Sequence, residues 1–180
     1  MTTYYLFRHG EADFSLPAQW NAATGWGADI APLTPRGIEQ IQAAAERLRT
    51  LRPGVILSSP MTRAVHSTLL LARAVDAPCV VEFDLHEWVP DLSFSWKSLD
   101  EVLAIIADLD DCGGEWPAGE QRGWEPLSRV RARVAPVLAR YRHEERVLVV
   151  CHGMVIRSLT GRTSVACGEM VPFDADDVRA

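Results

Sequence analysis

The 180-residue sequence has no apolar run approaching the length of a membrane span, no basic stretch followed by a short apolar segment near its start, no internal repeat and no low-complexity tract. The first two absences argue against a membrane helix or a secretory leader and set the expectation of a soluble, cytoplasmic protein. Cysteine is sparse: Cys79, Cys112, Cys151 and Cys167 are widely separated with no C-x-x-C pair. Neither a disulfide framework nor a zinc ribbon is expected, and reduced thiols are the default. Positive charge is in deficit, 18 Lys and Arg against 24 Asp and Glu for a net charge of −6. Binding to a nucleic-acid backbone normally needs a basic face, so no nucleic acid and no membrane are expected as partners. An anionic ligand would have to be held by a few basic residues placed for it. His66, His86 and His143 form no defensible metal-ligand spacing with carboxylates, and no metal or other cofactor is expected. Nothing in the sequence indicates a protein partner or fixes an oligomeric state.

What is present is a chain with 48% hydrophobic residues, consistent with one domain over residues 1–180 and a full core. Short apolar runs at 3–7, 55–57, 79–83 and 147–150 are strand-compatible. Helical periodicity lies between them. Ile38, Ile41, Ala45, Leu48 and Leu51 share one face, with Thr34 placed to cap and Pro35 at the first helical position. Further helices are expected at about 61–74, 99–109 and 126–141, with a short one after Gly153. Continuously apolar strands separated by helices predict an α/β fold: a mostly parallel central sheet with helices on both faces. Ligands then collect beyond the carboxyl ends of the strands. Two long irregular stretches, 11–33 and 86–124, contain all six tryptophans: Trp20, Trp26, Trp88, Trp96, Trp116 and Trp124. Such Trp-rich loops could lie over the site as a lid or wall, or form a satellite core beneath the loops.

Two of the strands end in the same dipeptide, in Arg8-His9-Gly10 and in Cys151-His152-Gly153. A third ends in Ser58-Ser59-Pro60-Met61-Thr62-Arg63-Ala64, which puts Arg63 in the first turn of the next helix. Taken singly these are a turn histidine, another turn histidine and a surface arginine. Converging at one sheet end, the four groups would repel one another unless an anion lay among them. A phosphoryl group suits such a site, because arginine donates to phosphate oxygens in a planar fork and a helix N-terminus adds backbone N–H groups.

Together with Leu33-Thr34-Pro35-Arg36-Gly37 and Glu87, these segments resemble the histidine phosphatase superfamily in its phosphoglycerate-mutase-like branch, over residues 3–160. The resemblance implies a phosphoglycerate-mutase-like fold and a phosphoric monoester hydrolase acting on a small phosphorylated substrate. It implies that His9 attacks phosphorus to form a phosphohistidine, while Arg8, Arg63 and His152, with Gly153 at the helix start, hold the phosphoryl oxygens. Glu87 matches the general acid, with Asp91 and Glu11 in reserve. Asn21 and Thr34 correspond to possible substrate contacts.

The sequence also departs from that pattern. Trp20-Asn21 follows Arg8-His9-Gly10 only after an extra stretch, and Glu87 is followed by Trp88-Val89-Pro90-Asp91 rather than by the mutase-like run. No added basic insert is visible, which favours a phosphatase over a phosphoglycerate-mutase-type phosphotransferase. A noncatalytic phosphate-binding module is a further alternative. A cysteine-dependent phosphatase is another, since Cys151 and Arg157 stand at C-x5-R spacing. The bulky Met154, Val155 and Ile156 between them suit a phosphate-cradling loop poorly. The tryptophans suggest a leaving group with a flat or apolar face, as in a nucleoside or sugar phosphate.

Overall fold

The computed structural model describes residues 2–15, 25–96, 98–174 and 176, with the backbone alone for residues 25 and 26. Among them run β1 (Thr3–Arg8), α1 (Pro35–Leu48), β2 (Val55–Ser58), α2 (Thr62–Val75), β3 (Cys79–Val81), α3 (Leu99–Asp111), α4 (Leu127–Arg140), β4 (Arg146–Cys151), α5 (Gly153–Thr160) and β5 (Met170–Asp174). The strands form one sheet in the order β3-β2-β4-β1-β5. The pairs β2·β3, β2·β4 and β1·β4 are parallel, and β1·β5 is antiparallel.

The α/β expectation, a mostly parallel sheet with helices on both faces, holds. The reason is visible in β4, where Val147 to Cys151 are all fully buried. Alternate side chains of a strand face opposite sides, so a continuous apolar run needs cover on both. Leu148 and Val150, with Phe7 and Ile56, face α1 and α2 through Ile41, Ala44, Leu48, Ala64, Leu71 and Val75. Val147, Val149 and Cys151, with Leu6 and Leu57, face α4 and α5 through Val130, Val134, Val137, Val155, Ile156 and Leu159. The Cys151 side chain is therefore part of a dry core.

Helix boundaries follow the predicted ones to within a few residues. Thr34 caps α1, its Oγ1 accepting the Gly37 N–H at 2.9 Å, and Pro35 occupies the first turn where its missing N–H costs nothing. The strand expected at 79–83 stops at Val81, and Phe83–Leu85 form a 3-10 turn instead. Strand β5 was not foreseen. It contains Pro172 and buries only alternate residues, Val171 and Phe173, which is how an edge strand accommodates a residue without a ladder donor.

Three of the described tryptophan side chains have gone inward. Trp88 and Trp124 are buried in the core on the α4 side, and Trp116 packs against it. Their indole N–H groups donate to the Glu125 carbonyl, to Asp108 Oδ2 at 2.7 Å and to the Trp124 carbonyl at 2.9 Å, respectively. These three belong to, or pack on, the main core that covers this face of the sheet. Trp96 stacks obliquely on Phe94, while Trp20 and the Trp26 side chain lie outside the described residues.

Two glycines fix how the chain leaves β1. A Cβ on Gly10 would stand 2.5 Å from the Gly37 carbonyl oxygen, and a Cβ on Gly37 would stand 2.2 Å from the Glu11 carbonyl oxygen. Backbone touches backbone there, so neither position can give way. Gly10→Ala should destabilise the protein by about 1–3 kcal/mol, as overpacking of a rigid contact does. Chemical denaturation checks this, and an unchanged midpoint would show that α1 shifts freely against the end of β1.

Candidate active site

The parallel register sets the site. Arg8 pairs with Cys151 and Ser58 with Val150, so β1, β4 and β2 end side by side. One residue further on, the His9 N–H donates to the Cys151 carbonyl at 3.1 Å and the Ser59 N–H to the Val150 carbonyl at 2.9 Å. His9, His152 and Ser59 thus leave the sheet as neighbours. The two imidazole centroids are 5.0 Å apart with their planes at 63°.

His9 is buried, and its Nδ1 lies 2.6 Å from its neighbour's carbonyl, Gly10 O. Donation from Nδ1–H leaves the Nε2 lone pair free to accept, and Arg63 Nε–H donates to it at 3.1 Å. Burial pushes the His9 pKa down to about 3, with Arg63 and Arg8 adding to the effect and the Gly10 carbonyl opposing it. The ring is neutral at any ordinary pH. His152 is fully buried and is also held well below the usual imidazole range, first by burial, then by Arg63, His9, His86 and Arg133. Its Nε2 lies 2.7 Å from Ser59 Oγ, which itself accepts the Met61 N–H at 3.3 Å. A hydroxyl can accept a second bond, so this contact fits either tautomer; the one in which Ser59 donates to Nε2 puts the His152 proton on Nδ1.

Arg63 is buried in the first turn of α2. Besides His9, it donates to the Ala28 carbonyl at 2.7 Å and approaches Met61 Sδ at 3.0 Å. Arg8 donates to the Val165 carbonyl and passes the start of α5, where a Cβ on Gly153 would be 3.5 Å from its Cζ. Two buried nitrogens of this cluster, Arg8 Nε and His152 Nδ1, have no hydrogen-bond partner. Buried donors are rarely left unpaired. Both suit an oxyanion, and the α5 N-terminus beside them carries the partial positive charge of a helix start.

Glu87 follows the 3-10 turn after β3. Its carboxylate accepts the Trp88 N–H at 2.9 Å and feels the amide of Met154 in the first turn of α5. Burial raises its pKa, and the Trp88 amide, Arg63, Arg8 and the Met154 amide only partly oppose that rise. The carboxyl is accordingly a proton donor at higher pH than an exposed glutamate. The same dry surroundings lower two imidazoles and raise one carboxyl.

Arg8, His9, Arg63, Glu87, His152 and Gly153 are thus brought together. Thr34 is not free to join them, because its hydroxyl donates to Glu11 Oε2 at 2.8 Å while capping α1. Asn21 lies outside the described residues. Glu11 is tied to Thr34 and to Arg36, at 3.8 Å. Asp91 accepts bonds from Ser93 and Ser95 that draw its pKa down to about 2, so it is unsuited to donate a proton. The cysteine-nucleophile alternative fails on geometry: Cys151 is in the core, its thiol pKa pushed up by burial, and Arg157 pairs with Asp110. Among the described residues, no three His, Cys, Asp or Glu side chains stand together as a metal ion would need.

Two contributors were not picked out from the sequence. Ser59, the hydrogen-bond partner of His152 Nε2, sits in the Ser58-to-Ala64 segment, and its place directly after β2 was a usable signal. Asp29, a half-buried carboxyl raised by burial and drawn back by Arg63, lies in an irregular stretch with no local mark.

The histidine phosphatase superfamily (branch 1) model matches residues 4–168. The chain is similar to a metal-independent phosphoserine phosphatase of Arabidopsis thaliana, 30% identical over 182 residues, covering 92% of this chain and 70% of the relative. It is also similar to a 2,3-bisphosphoglycerate-dependent phosphoglycerate mutase of Rhizobium etli, 29% identical over 87% of this chain and 77% of that protein. Among solved structures, a mycobacterial glucosyl-3-phosphoglycerate phosphatase superposes with a TM-score of 0.73 at 19% identity, covering 96% of this chain and 90% of its own. That likeness speaks for the fold.

The depressed His9 pKa has a stability consequence. A histidine that is neutral when folded and ordinary when unfolded contributes stability above the unfolded pKa, and that stability is lost as pH falls towards the folded one. The protein should therefore lose on the order of a few kcal/mol between about pH 6.5 and about pH 4, and His9→Ala should flatten part of that slope. Urea midpoints across this range test it. Parallel losses in both proteins would mean that the His9 ring is not held neutral.

Proposed function

Because the chain belongs to the histidine phosphatase superfamily, we propose that it hydrolyses a small phosphate monoester in two steps through a phosphohistidine on His9. The observation that carries this reading is the His9 Nε2 lone pair, aimed into a buried cluster that also holds Arg63 and two unpartnered nitrogens, Arg8 Nε and His152 Nδ1. Arg8, Arg63, His152 and the N-terminus of α5 at Gly153 hold the phosphoryl oxygens. On binding, the Arg63 N–H that caps Nε2 turns to a phosphate oxygen and uncovers the lone pair. Nε2 then bonds to phosphorus as the ester P–O bond breaks, and Glu87 gives its proton to the leaving oxygen. In the second step Glu87 takes a proton from water, the water oxygen bonds to phosphorus, the N–P bond breaks, and phosphate leaves.

A mutase has to grip a second anion on the same substrate. The sequence has no Lys or Arg between Arg8 and Arg36 and only Lys97 between Arg73 and Arg122, so the two long stretches bring little charge for a carboxylate. This supports hydrolysis over phosphoryl transfer and an uncharged leaving group, of the sugar or nucleoside kind. An apolar surface for it is available at Phe14, an exposed ring centred 5.8 Å from Arg63 Cζ.

His9→Ala should cut turnover by at least roughly a thousandfold and remove an acid-labile phosphoenzyme that rapid quenching detects in the parent. Glu87→Gln should slow alkyl phosphates by about 10² to 10⁴ and aryl phosphates far less. It should also abolish the fall in activity with rising pH, since a raised carboxyl pKa keeps the donor protonated until higher pH. A His9→Ala protein that still turns over, or one that binds phosphate esters in parent form without turnover, would refute the reaction. On a substrate panel, sugar and nucleoside phosphates should exceed phosphoserine and phosphoglycerate in kcat/KM by about tenfold or more. Equal or reversed values would refute the uncharged leaving group.

A further inference from the structure

We propose that Arg133 and Glu125, which lie outside the phosphate cluster, are positioning residues that set where the Glu87 carboxyl stands. This rests on the reading of Glu87 as proton donor. Arg133 projects from α4, a helix whose Val130, Val134 and Val137 are core residues. Every one of its five N–H groups is used. Nε donates to Glu125 Oε1 at 2.9 Å and Nη2 to Glu125 Oε2 at 3.2 Å. The second Nη2 hydrogen goes to the Glu87 carbonyl at 3.2 Å, and Nη1 serves the carbonyls of His86, at 2.9 Å, and Asp84. Glu125 completes the clamp from the other side of Glu87. Its Oε2 accepts the Val89 N–H at 3.2 Å, its own N–H donates to the Val89 carbonyl at 3.0 Å, and its carbonyl accepts the Trp88 indole.

The segment 84–89 has left the sheet, since β3 ends at Val81, and no strand neighbour supplies its hydrogen bonds. A planar guanidinium does so instead, gripping three carbonyls at or just before Glu87 while its partner grips the two residues after it. The pair is withdrawn from water, the Arg133 and Glu125 side chains being 13% and 3% exposed. Maintaining two charges there is costly, and well-packed apolar side chains could serve mere stability as well. What an apolar substitute could not do is fix the backbone at Glu87 by directed bonds. The α5 helix, whose first residue Gly153 lies beside Arg8, packs on α4. The backbone at the donor and the α5 edge of the phosphate cluster are thus referenced to the same pair of helices. A misplaced acid should slow departure of a poor leaving group without loosening the grip on phosphate.

The test compares Arg133→Lys and Glu125→Gln with Glu87→Gln on an alkyl and an aryl phosphate, with inorganic phosphate as competitive inhibitor. Lysine keeps the charge but not the fork, and glutamine keeps an acceptor but not the charge. Expected for Arg133→Lys is a fall in kcat of about tenfold or more on the alkyl ester, with KM and phosphate inhibition within about twofold and aryl phosphate turnover nearly unchanged. Its alkaline pH limb should move, and adding it to Glu87→Gln should cost nothing further on the alkyl ester. Glu125→Gln should give the same pattern, smaller, and it decides the matter if the lysine variant does not fold. Equal losses on both esters, or weakened phosphate inhibition, would overturn the positioning role and leave Glu87 as donor intact. If Glu87→Gln itself slows both esters alike, the donor reading fails and this inference with it.

Discussion

Two imidazoles and two guanidinium groups share one largely buried cluster, and the arrangement holds only because both rings stay neutral. With centroids 5.0 Å apart, two imidazolium ions would repel by about 3 kcal/mol at an effective dielectric of about 20, before the arginines are counted. Burial removes that conflict by stripping protons from the rings, and Arg63 and Arg8 reinforce the effect at His9. The parallel register then decides which nitrogen is available. The Gly10 carbonyl accepts the Nδ1–H of His9 and leaves its Nε2 lone pair free, while Ser59 holds His152 at Nε2. A requirement of folding and a requirement of nucleophilic chemistry are met by the same bonds.

The same lack of water acts in the opposite sense on Glu87. Desolvation disfavours whichever form is charged, so it lowers imidazole and raises carboxyl pKa values at once. Neighbouring titratable groups pushed apart in this way are suited to divided roles, one as base or nucleophile and one as acid. In the proposed reaction the protein needs no separate device for each. It needs a closed site and a correctly aimed carboxyl, and the aim is a matter of backbone placement on a segment that the sheet no longer supports.

How much of this could be read from the sequence follows from how local each signal was. The parallel strands were visible as continuous apolar runs and the helices as 3.6-residue periodicity, whereas β5 was hidden by Pro172 and by burying only Val171 and Phe173. Arg8, His9, Arg63 and His152 were legible because each sits at a strand end or in the first turn after one, where parallel topology brings chain-distant residues together. The inward turn of Trp88, Trp116 and Trp124 depended on contacts with α3 and α4 that no neighbouring residue announces. Arg133 was illegible for the same reason. Within Arg129-Val130-Arg131-Ala132-Arg133-Val134 it reads as one more residue on a solvated basic face.

All but one of the 18 basic residues are arginine, Lys97 being the exception, and the site shows what that choice permits. An ammonium group in such surroundings would tend to lose its proton, whereas a guanidinium keeps its charge when buried. It also spreads that charge over five donors held in a plane. Arg63 uses the plane to span His9, Ala28 and Met61, and Arg133 uses it to hold Glu125 together with the carbonyls of Asp84, His86 and Glu87. One side-chain chemistry therefore serves two ends, a permanent positive charge beside the proposed nucleophile and a rigid bracket behind the carboxyl. The two are linked through Glu87, whose carboxyl feels Arg63 and Arg8 while its main chain is fastened to Arg133. Movement of either guanidinium would be felt at the atom from which the proposed proton transfer starts.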